Sequence, residues 1–348
     1  MNRDHYRRTT PEDFPEKTSV AGIELEKVRG LRYGWNPGYP AAWYREVGAT
    51  GPCAGNAKIV QENPEKPIGY INMEDVDAGL RLVHKLYSVF GPKEYVAAVM
   101  KHVNPCGVAR ASSLAEAFER AWNCNSLSAF GGVVALSDIV DEETSRLLAS
   151  RDRFVEVVVA PGYDARARER LACKKDLRVL EVCSLSQAVE DSSLELKRLR
   201  GGLLVQERYD SKITSPDKFT VLSARAPTDG EREAALFNWL VCGFVRSNAI
   251  VIGNTHETVG IGTGQQSRID SFRFAVWYAK ERSKKGCKGM VAASDAFFPS
   301  TDCFEMAAQE GITAIAYTTG SIRDAKCIEV ADRHNIALLT TGERCFSH

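Results

Sequence analysis

GVVALSD, Gly132 to Asp138, is followed after a helical stretch by VEVVVAPG, Val155 to Gly162. GMVAASD, Gly289 to Asp295, is followed in the same way by ITAIAYTTG, Ile312 to Gly320. The two blocks share an order and a spacing. From the Ser-Asp to the closing glycine the chain runs 24 residues in the first (Asp138 to Gly162) and 25 in the second (Asp295 to Gly320). The apolar runs are short and rich in Val, Ile and Ala, with scarcely a polar residue in them, which suits strands covered on both faces of an α/β sheet. A repeat of this kind implies two similar α/β lobes in tandem. Strand–helix–strand units share composition, so a chance likeness is the competing explanation.

Outward from these blocks, further strands are predicted at Tyr95–Met100, Arg178–Val182, Ala249–Gly253 and Ile336–Thr340, each bounded by Gly, Pro, Asn or Asp. Helix starts are marked by Ser113 with Glu116, Thr228 with Glu231, and Ser321 with Asp324. Residues 1–22 are charged and poor in large apolar groups and read as an N-terminal arm. Residues 184–240 are polar and leucine-spotted and read as a mostly helical connector. The expected division is an arm over 1–22, a first lobe over 23–183, the connector over 184–240 and a second lobe over 241–348.

The whole chain has 348 residues, which suits about two domains. Its 45 basic and 45 acidic side chains cancel, so no broad basic face for nucleic acid is expected. A small anionic ligand needs only two or three local donors and stays open. No apolar run approaches the ~18 residues of a membrane span, and the polar start has no signal-peptide core. The ten cysteines form no CxxC pair and none stands near a histidine at metal spacing, so reduced thiols and a cytoplasmic location are expected.

Several segments could carry chemistry. Lys101-His102 directly follows a predicted strand, where ligands gather in open α/β sheets, and would supply a fixed cation beside a titratable base. Asn104-Pro105-Cys106-Gly107 is expected to form the tight turn that holds them. Taken alone, the pair reads more simply as exposed residues before a turn. Ser128-Ala129-Phe130-Gly131-Gly132 could let backbone approach a ligand, or simply bulge. Gly260–Arg268 reads as a glycine-rich loop running into a helix over Ile269–Glu281, with Arg268 as an anion donor or with no ligand at all. Leu31–Pro37 combines Arg32 with two aromatics, which could stack on a ring or pack a surface turn. Phe297 and Phe298 either cap the core or line a pocket, and Arg344–His348 either flanks a site or frays. A zinc deaminase motif and the Gly-x-Ser-x-Gly of serine hydrolases are both missing.

Together, LRYGWNP, KHVNPCGVA, SAFGGVVAL, VVVAPGYD, SNAIVIG, GIGTGQQSRID, SDAFFPSTD and GSIRD resemble the AICAR transformylase domain of the bifunctional purine biosynthesis proteins, in order from about Gly30 to His348. The resemblance implies two tandem three-layer lobes of cytidine-deaminase-like fold without zinc, and formyl transfer from 10-formyltetrahydrofolate, as co-substrate, to the 5-amino group of AICAR. It implies a homodimer with sites at the subunit interface. Lys101, His102 and Asn248 match the catalytic positions; Arg32, Tyr33, Asn72, Gly131, Glu156 and Arg268 match those that hold the nucleotide; Phe297, Asp302, Ser321, Ile322 and Arg344 match those near the folate. Asp295 falls near the potassium site that some members carry.

The sequence departs from the family at Trp35–Tyr39, Asn125, Thr318-Thr319 and Cys345–Ser347. These changes leave Lys101, His102 and Asn248 in place and fall mostly on the folate side. A 22-residue leader cannot encode the family's cyclohydrolase domain of roughly 200 residues, so the expectation is a stand-alone transformylase that leaves ring closure to a separate cyclohydrolase. The alternatives are a related formyltransferase with another one-carbon donor and a non-catalytic nucleotide-binding paralogue.

Overall fold

The computed structural model describes residues 14–348. Strands β1 (Lys17–Val20), β2 (Ile23–Leu31) and β3 (Ala41–Glu46) make an antiparallel sheet ahead of the two repeats. The expected arm is therefore partly strand, because Ala21-Gly22, at φ of 53° and 83°, turns Lys17–Val20 back onto β2; residues 1–13 lie outside the described residues.

The first repeat runs β4 (Lys58–Gln61), α1 (Tyr70–Phe90), β5 (Tyr95–Lys101), β6 (Asn104–Ala111), α2 (Leu114–Cys124), α3 (Ser126–Ala129), β7 (Gly132–Leu136), α4 (Glu142–Leu148), β8 (Val155–Ala160), α5 (Ala165–Ala172) and β9 (Arg178–Glu181). A hairpin follows, β10 (Leu194–Leu199) with β11 (Gly202–Glu207). The second repeat runs β12 (Thr220–Val221), α6 (Asp229–Cys242), β13 (Ile250–Gly253), β14 (Thr258–Gly262), α7 (Arg268–Glu281), β15 (Val291–Ser294), α8 (Asp302–Gln309), β16 (Ala314–Tyr317), α9 (Asp324–Arg333) and β17 (Ala337–Thr340).

The strand orders are β4-β9-β8-β7-β5-β6 and β12-β17-β16-β15-β13-β14. They superpose element for element, with three parallel strands in the middle and antiparallel strands outside. The sequence echo is thus a repeat of topology. α1 and α6 pack between the two sheets, where Leu80, Leu82, Leu86, Phe237 and Trp239 are almost fully buried. Each such side chain contributes about 1.5–3 kcal/mol. The outer faces are covered by α2, α4 and α5 on one side and α7, α8 and α9 on the other.

The connector differs from its expected helical form. Leu194–Leu199 and Gly202–Glu207 pair antiparallel across Arg200-Gly201, with Gly201 at φ 77°, so this leucine-spotted stretch is a hairpin. The helix at Asp229–Cys242, started by a complete capping box between Thr228 and Glu231, belongs with the second sheet as the counterpart of α1.

Edge strands β6 and β14 run antiparallel and side by side. Ala109 bridges Glu257, the Arg110 amide donates to the His256 carbonyl at 2.7 Å, and the Val108 amide donates to Thr258 Oγ1 at 3.0 Å. This contact places the matching edge strands of the two repeats against each other.

Candidate active site

Lys101 ends β5 and Asn104 begins β6, so His102 and Val103 form a two-residue hairpin loop. Both are left-handed, at φ 56° and 62°. Such loops favour Asn-Gly, and a left-handed β-branched residue costs about 1–2 kcal/mol. The tight turn therefore lies at His102-Val103, two residues before the expected Asn104–Gly107, which is strand; Pro105 takes its place there opposite Met100 at an irregularity in the ladder. Asp75, on α1 and only 4% exposed, holds the turn: its carboxylate accepts the Val103 amide at 2.6 Å and the His102 amide at 3.3 Å. Burial pushes the Asp75 carboxyl up, against those two amide bonds and the nearby His102. The His102 side chain is exposed.

Lys101 reaches across to the end of α3, where Nζ donates to the Phe130 carbonyl at 2.7 Å, just ahead of β7. Gly131 sits beside it at φ 77°, and a Cβ there would stand 3.8 Å from Lys101 Nζ. Asn72, in the first turn of α1, caps the Gly69 amide at 3.1 Å and donates to Glu156 at 2.8 Å. Arg32 and Tyr33 follow β2, with the guanidinium 5.4 Å from the Tyr33 ring centre. Trp35 stands edge-on to Tyr70 and donates its indole N–H to Glu74 at 2.9 Å. The first turns of α1 thus touch three parts of the site, the His102–Val103 turn, Glu156 and Trp35.

The second repeat joins this group through Asn104. Its Oδ1 accepts the Arg246 amide at 3.0 Å and the Thr263 hydroxyl at 2.8 Å, and its Nδ2 donates to the His102 carbonyl at 3.0 Å. Two residues on, Asn248 follows a cis peptide bond from Ser247. Its Nδ2 donates to the Gln265 carbonyl at 2.8 Å, and its Oδ1 accepts Arg268 Nη2 at 2.8 Å. Arg268 is buried, with Nη1 on Ser294 Oγ at 2.9 Å and on Asp295. Its charge is therefore already paired with Asp295, and its other nitrogen holds the Asn248 amide oxygen.

Gly260 and Gly262 are also not the anion loop expected. They lie in β14, where a Cβ would run into the carbonyls of Ala275 and Ser271, so these glycines let α7 lie close on the sheet. The loop proper is shorter, Thr263 to Ser267, and α7 begins at Arg268.

Phe297 follows β15, Ser321 and Ile322 follow β16, and Arg344 follows β17. The structure thus gathers them at the carboxyl ends of three adjacent parallel strands. The segment after β17 is pinned, not frayed: Cys345 N–H donates to the Asp295 carbonyl at 3.0 Å, Ser347 O accepts the Ser247 amide at 2.9 Å, and Glu343 accepts Tyr209 at 2.9 Å and Ser211 at 2.5 Å. Phe297 packs against Gly320. Ile322 is fully exposed. Asp302 takes the Cys303 amide at 2.9 Å. In place of the expected box with Ser321 as cap, Asp324 accepts the Gly320 and Ser321 amides at 2.8 and 3.1 Å, because the helix starts at Asp324 itself.

Asp295 is fully buried and its oxygens are taken by Arg268, by the Ser247 hydroxyl at 2.6 Å and by the Ala249 amide at 3.0 Å. This carboxylate neutralises a guanidinium, and its donor-filled oxygens do not fit a cation ligand. Among the described residues no three His, Cys, Asp or Glu side chains cluster as a metal site. All ten cysteines are free, and burial pushes Cys106 and Cys124 up to about 12, out of nucleophilic range near neutrality. Among the described residues no helix is long and apolar enough to cross a membrane.

Sequence reasoning missed Asp75 and the joining role of Asn104. The signal for Asp75 was present: an acid on the apolar face of a helix, between Met73, Val76 and Gly79.

The family model described as AICARFT/IMPCHase bienzyme matches residues 3–278. The "Bifunctional purine biosynthesis protein PurH" of Sorangium cellulosum is 42% identical over 339 residues, covering 97% of this chain and 61% of the relative. The proteins of the same description from Acetivibrio thermocellus and Roseobacter denitrificans are 36% and 41% identical, covering 97% and 96% of this chain and 62% of each relative. The chain thus spans about three fifths of the length of these relatives.

Proposed function

The chain belongs to the AICARFT/IMPCHase bienzyme family, and from that membership we propose that it is an AICAR transformylase of purine biosynthesis, using 10-formyltetrahydrofolate as formyl donor. The observation that carries this reading is the join at Asn104, which ties the Lys101–His102 turn of one repeat to the Arg246–Asn248 segment of the other.

An aminoimidazole amine conjugated to a carboxamide is a poor nucleophile. Bringing it onto the formyl carbon needs a base and a donor for the developing oxyanion. In our reading the amine nitrogen attacks the formyl carbon while the exposed His102 imidazole takes a proton from that nitrogen. Lys101 donates to the oxygen as the carbonyl opens. The C–N bond to the folate breaks, its nitrogen recovers a proton, and FAICAR and tetrahydrofolate leave. Asn248, aimed by Arg268, orients the carboxamide and amine. Asn72, Glu156, Gly131, Arg32 and Tyr33 hold the nucleotide. Phe297, Asp302, Ser321, Ile322 and Arg344 face the folate. No step is assigned to a monovalent cation at Asp295.

We take each repeat as a zinc-free lobe of cytidine-deaminase-like fold, and the working form as a cytoplasmic homodimer. The test is direct: purified protein with AICAR and 10-formyltetrahydrofolate should release tetrahydrofolate. No turnover while AICAR still binds would overturn the proposal in favour of a nucleotide-binding paralogue.

A further inference from the structure

We propose that Asp75 is a positioning residue of this site, a buried carboxylate that clamps the two amides of the His102–Val103 turn and so fixes the direction of the imidazole. The proposal rests on the reading of the site as a formyl transferase. It names a residue that the sequence motifs do not contain.

The geometry has three parts. The turn is disfavoured on its own, since both residues are left-handed and one is β-branched. Asp75 is the group that compensates: it is 4% exposed and accepts both turn amides, at 2.6 and 3.3 Å. A buried carboxylate is costly unless its oxygens are satisfied, and here they are satisfied by backbone at the one strained turn of the site. The third part is the rail. On the same helix Asn72 holds Glu156 and Glu74 holds Trp35, so α1 carries the turn, the nucleotide side and the Trp35 loop as one rigid body. Asn104 restrains the other side of the turn from the second repeat. Strain held by its surroundings at a reacting group is a recurring way to pre-set geometry.

Asp75→Asn tests this with the shape preserved. The amide side chain has one acceptor oxygen and turns a donor toward one of the two turn amides. Turnover should fall by about 10²-fold, the usual penalty for a reacting group displaced by an ångström, while KM for AICAR stays within about 3-fold. Hydrogen exchange at the His102 and Val103 amides should quicken by about 10-fold or more. Adding Val103→Gly, which tolerates the left-handed turn without strain, should return part of the lost turnover. Turnover within about 3-fold of the parent enzyme, or KM rising as turnover falls, would overturn the positioning role; so would no recovery with Val103→Gly. Unchanged exchange would overturn the clamp itself. Absence of formyl transfer in the parent enzyme would overturn the functional reading, and the exchange measurement would still decide the clamp.

Discussion

Asn104→Ala removes a side chain that ties the His102 turn to the second repeat. Three hydrogen bonds are lost, from the Arg246 amide, from the Thr263 hydroxyl and to the His102 carbonyl. At about 0.5–1.5 kcal/mol each the sum is about 1.5–4.5 kcal/mol. The site is partly exposed, and water will replace some of these bonds, so about 2 kcal/mol is the expected loss. For a chain of this size that lowers the melting temperature by only a few degrees, roughly 4 °C. The catalytic effect should be larger. Lys101 stays tethered to Phe130 and Asn72 stays on Glu156, so AICAR binding changes little. His102 loses its register with Asn248, and turnover should fall by about 10²-fold. Asn104→Asp keeps acceptors for Arg246 and Thr263 but cannot donate to the His102 carbonyl, so a loss of about 10-fold is expected. Steady-state formyl transfer with AICAR varied at saturating folate separates the terms. If Asn104→Ala melts lower yet keeps turnover within about 3-fold, the tie between repeats does not place His102 and the reasoning fails.

His102→Ala should lower turnover by about two to four orders of magnitude while calorimetry still detects AICAR; retained activity would remove it from the mechanism. Lys101→Met should likewise damage turnover more than binding, and equal loss of both would make Lys101 a binding residue. Arg110 is buried over the Phe90 ring at 4.0 Å, paired with Glu94 at 2.7 Å and with Glu233, and bonded to the Thr255 carbonyl at 2.6 Å; Arg110→Met should cost about 3 kcal/mol in urea unfolding, and a loss under about 1 kcal/mol would show the cluster to be ornamental. Desolvation pushes Glu231 up, but bonds from Arg225, the Thr228 amide and Thr313 outweigh it and hold the carboxyl at about 2. A depressed carboxyl stabilises the fold above its unfolded value and loses that contribution as pH falls through the folded one. Glu231→Gln should therefore cost about 2 kcal/mol at pH 7, discounted for partial solvent screening, with the gap narrowing from about pH 5 down to about pH 2; a constant gap would contradict the pairing.

The parallel core was legible because its strands are buried on both faces. Gly132–Leu136 and Val155–Ala160 stand as the sequence placed them. Polar or punctuated strands were not legible. β6 carries Asn-Pro-Cys-Gly, which local turn chemistry reads as a loop, and only pairing with β5 makes it strand. β10 and β11 have leucines at a spacing that helix and hairpin both permit. Within the site, Lys101, His102 and Asn248 were recoverable from motifs. Asp75 showed only as an acid on the apolar face of a helix, since its partners are backbone amides of residues that only folding brings to it.

The duplication leaves one question of physical logic: why two matching repeats yield a single set of these residues. Because β6 and β14 run antiparallel along their shared edge, the hairpin turn of each repeat meets the opposite flank of the other. That geometry makes two related junctions. At the first, His102-Val103 meets Arg246, Asn248 and Thr263, and the groups are exposed, polar and restrained by Asn104 and Asp75. At the second, Thr255 and His256 of the β13–β14 turn meet Arg110 beside Glu94, and Glu233 and the Phe90 ring close over the guanidinium. There the buried guanidinium is paired with both carboxylates and bonded to the Thr255 carbonyl. One junction is thus available for chemistry and the other for holding the repeats in register. The alignment of His102 with Asn248 depends on both, because a shift of β6 along β14 that loosened Arg110 would carry Asn104 with it on the same strand.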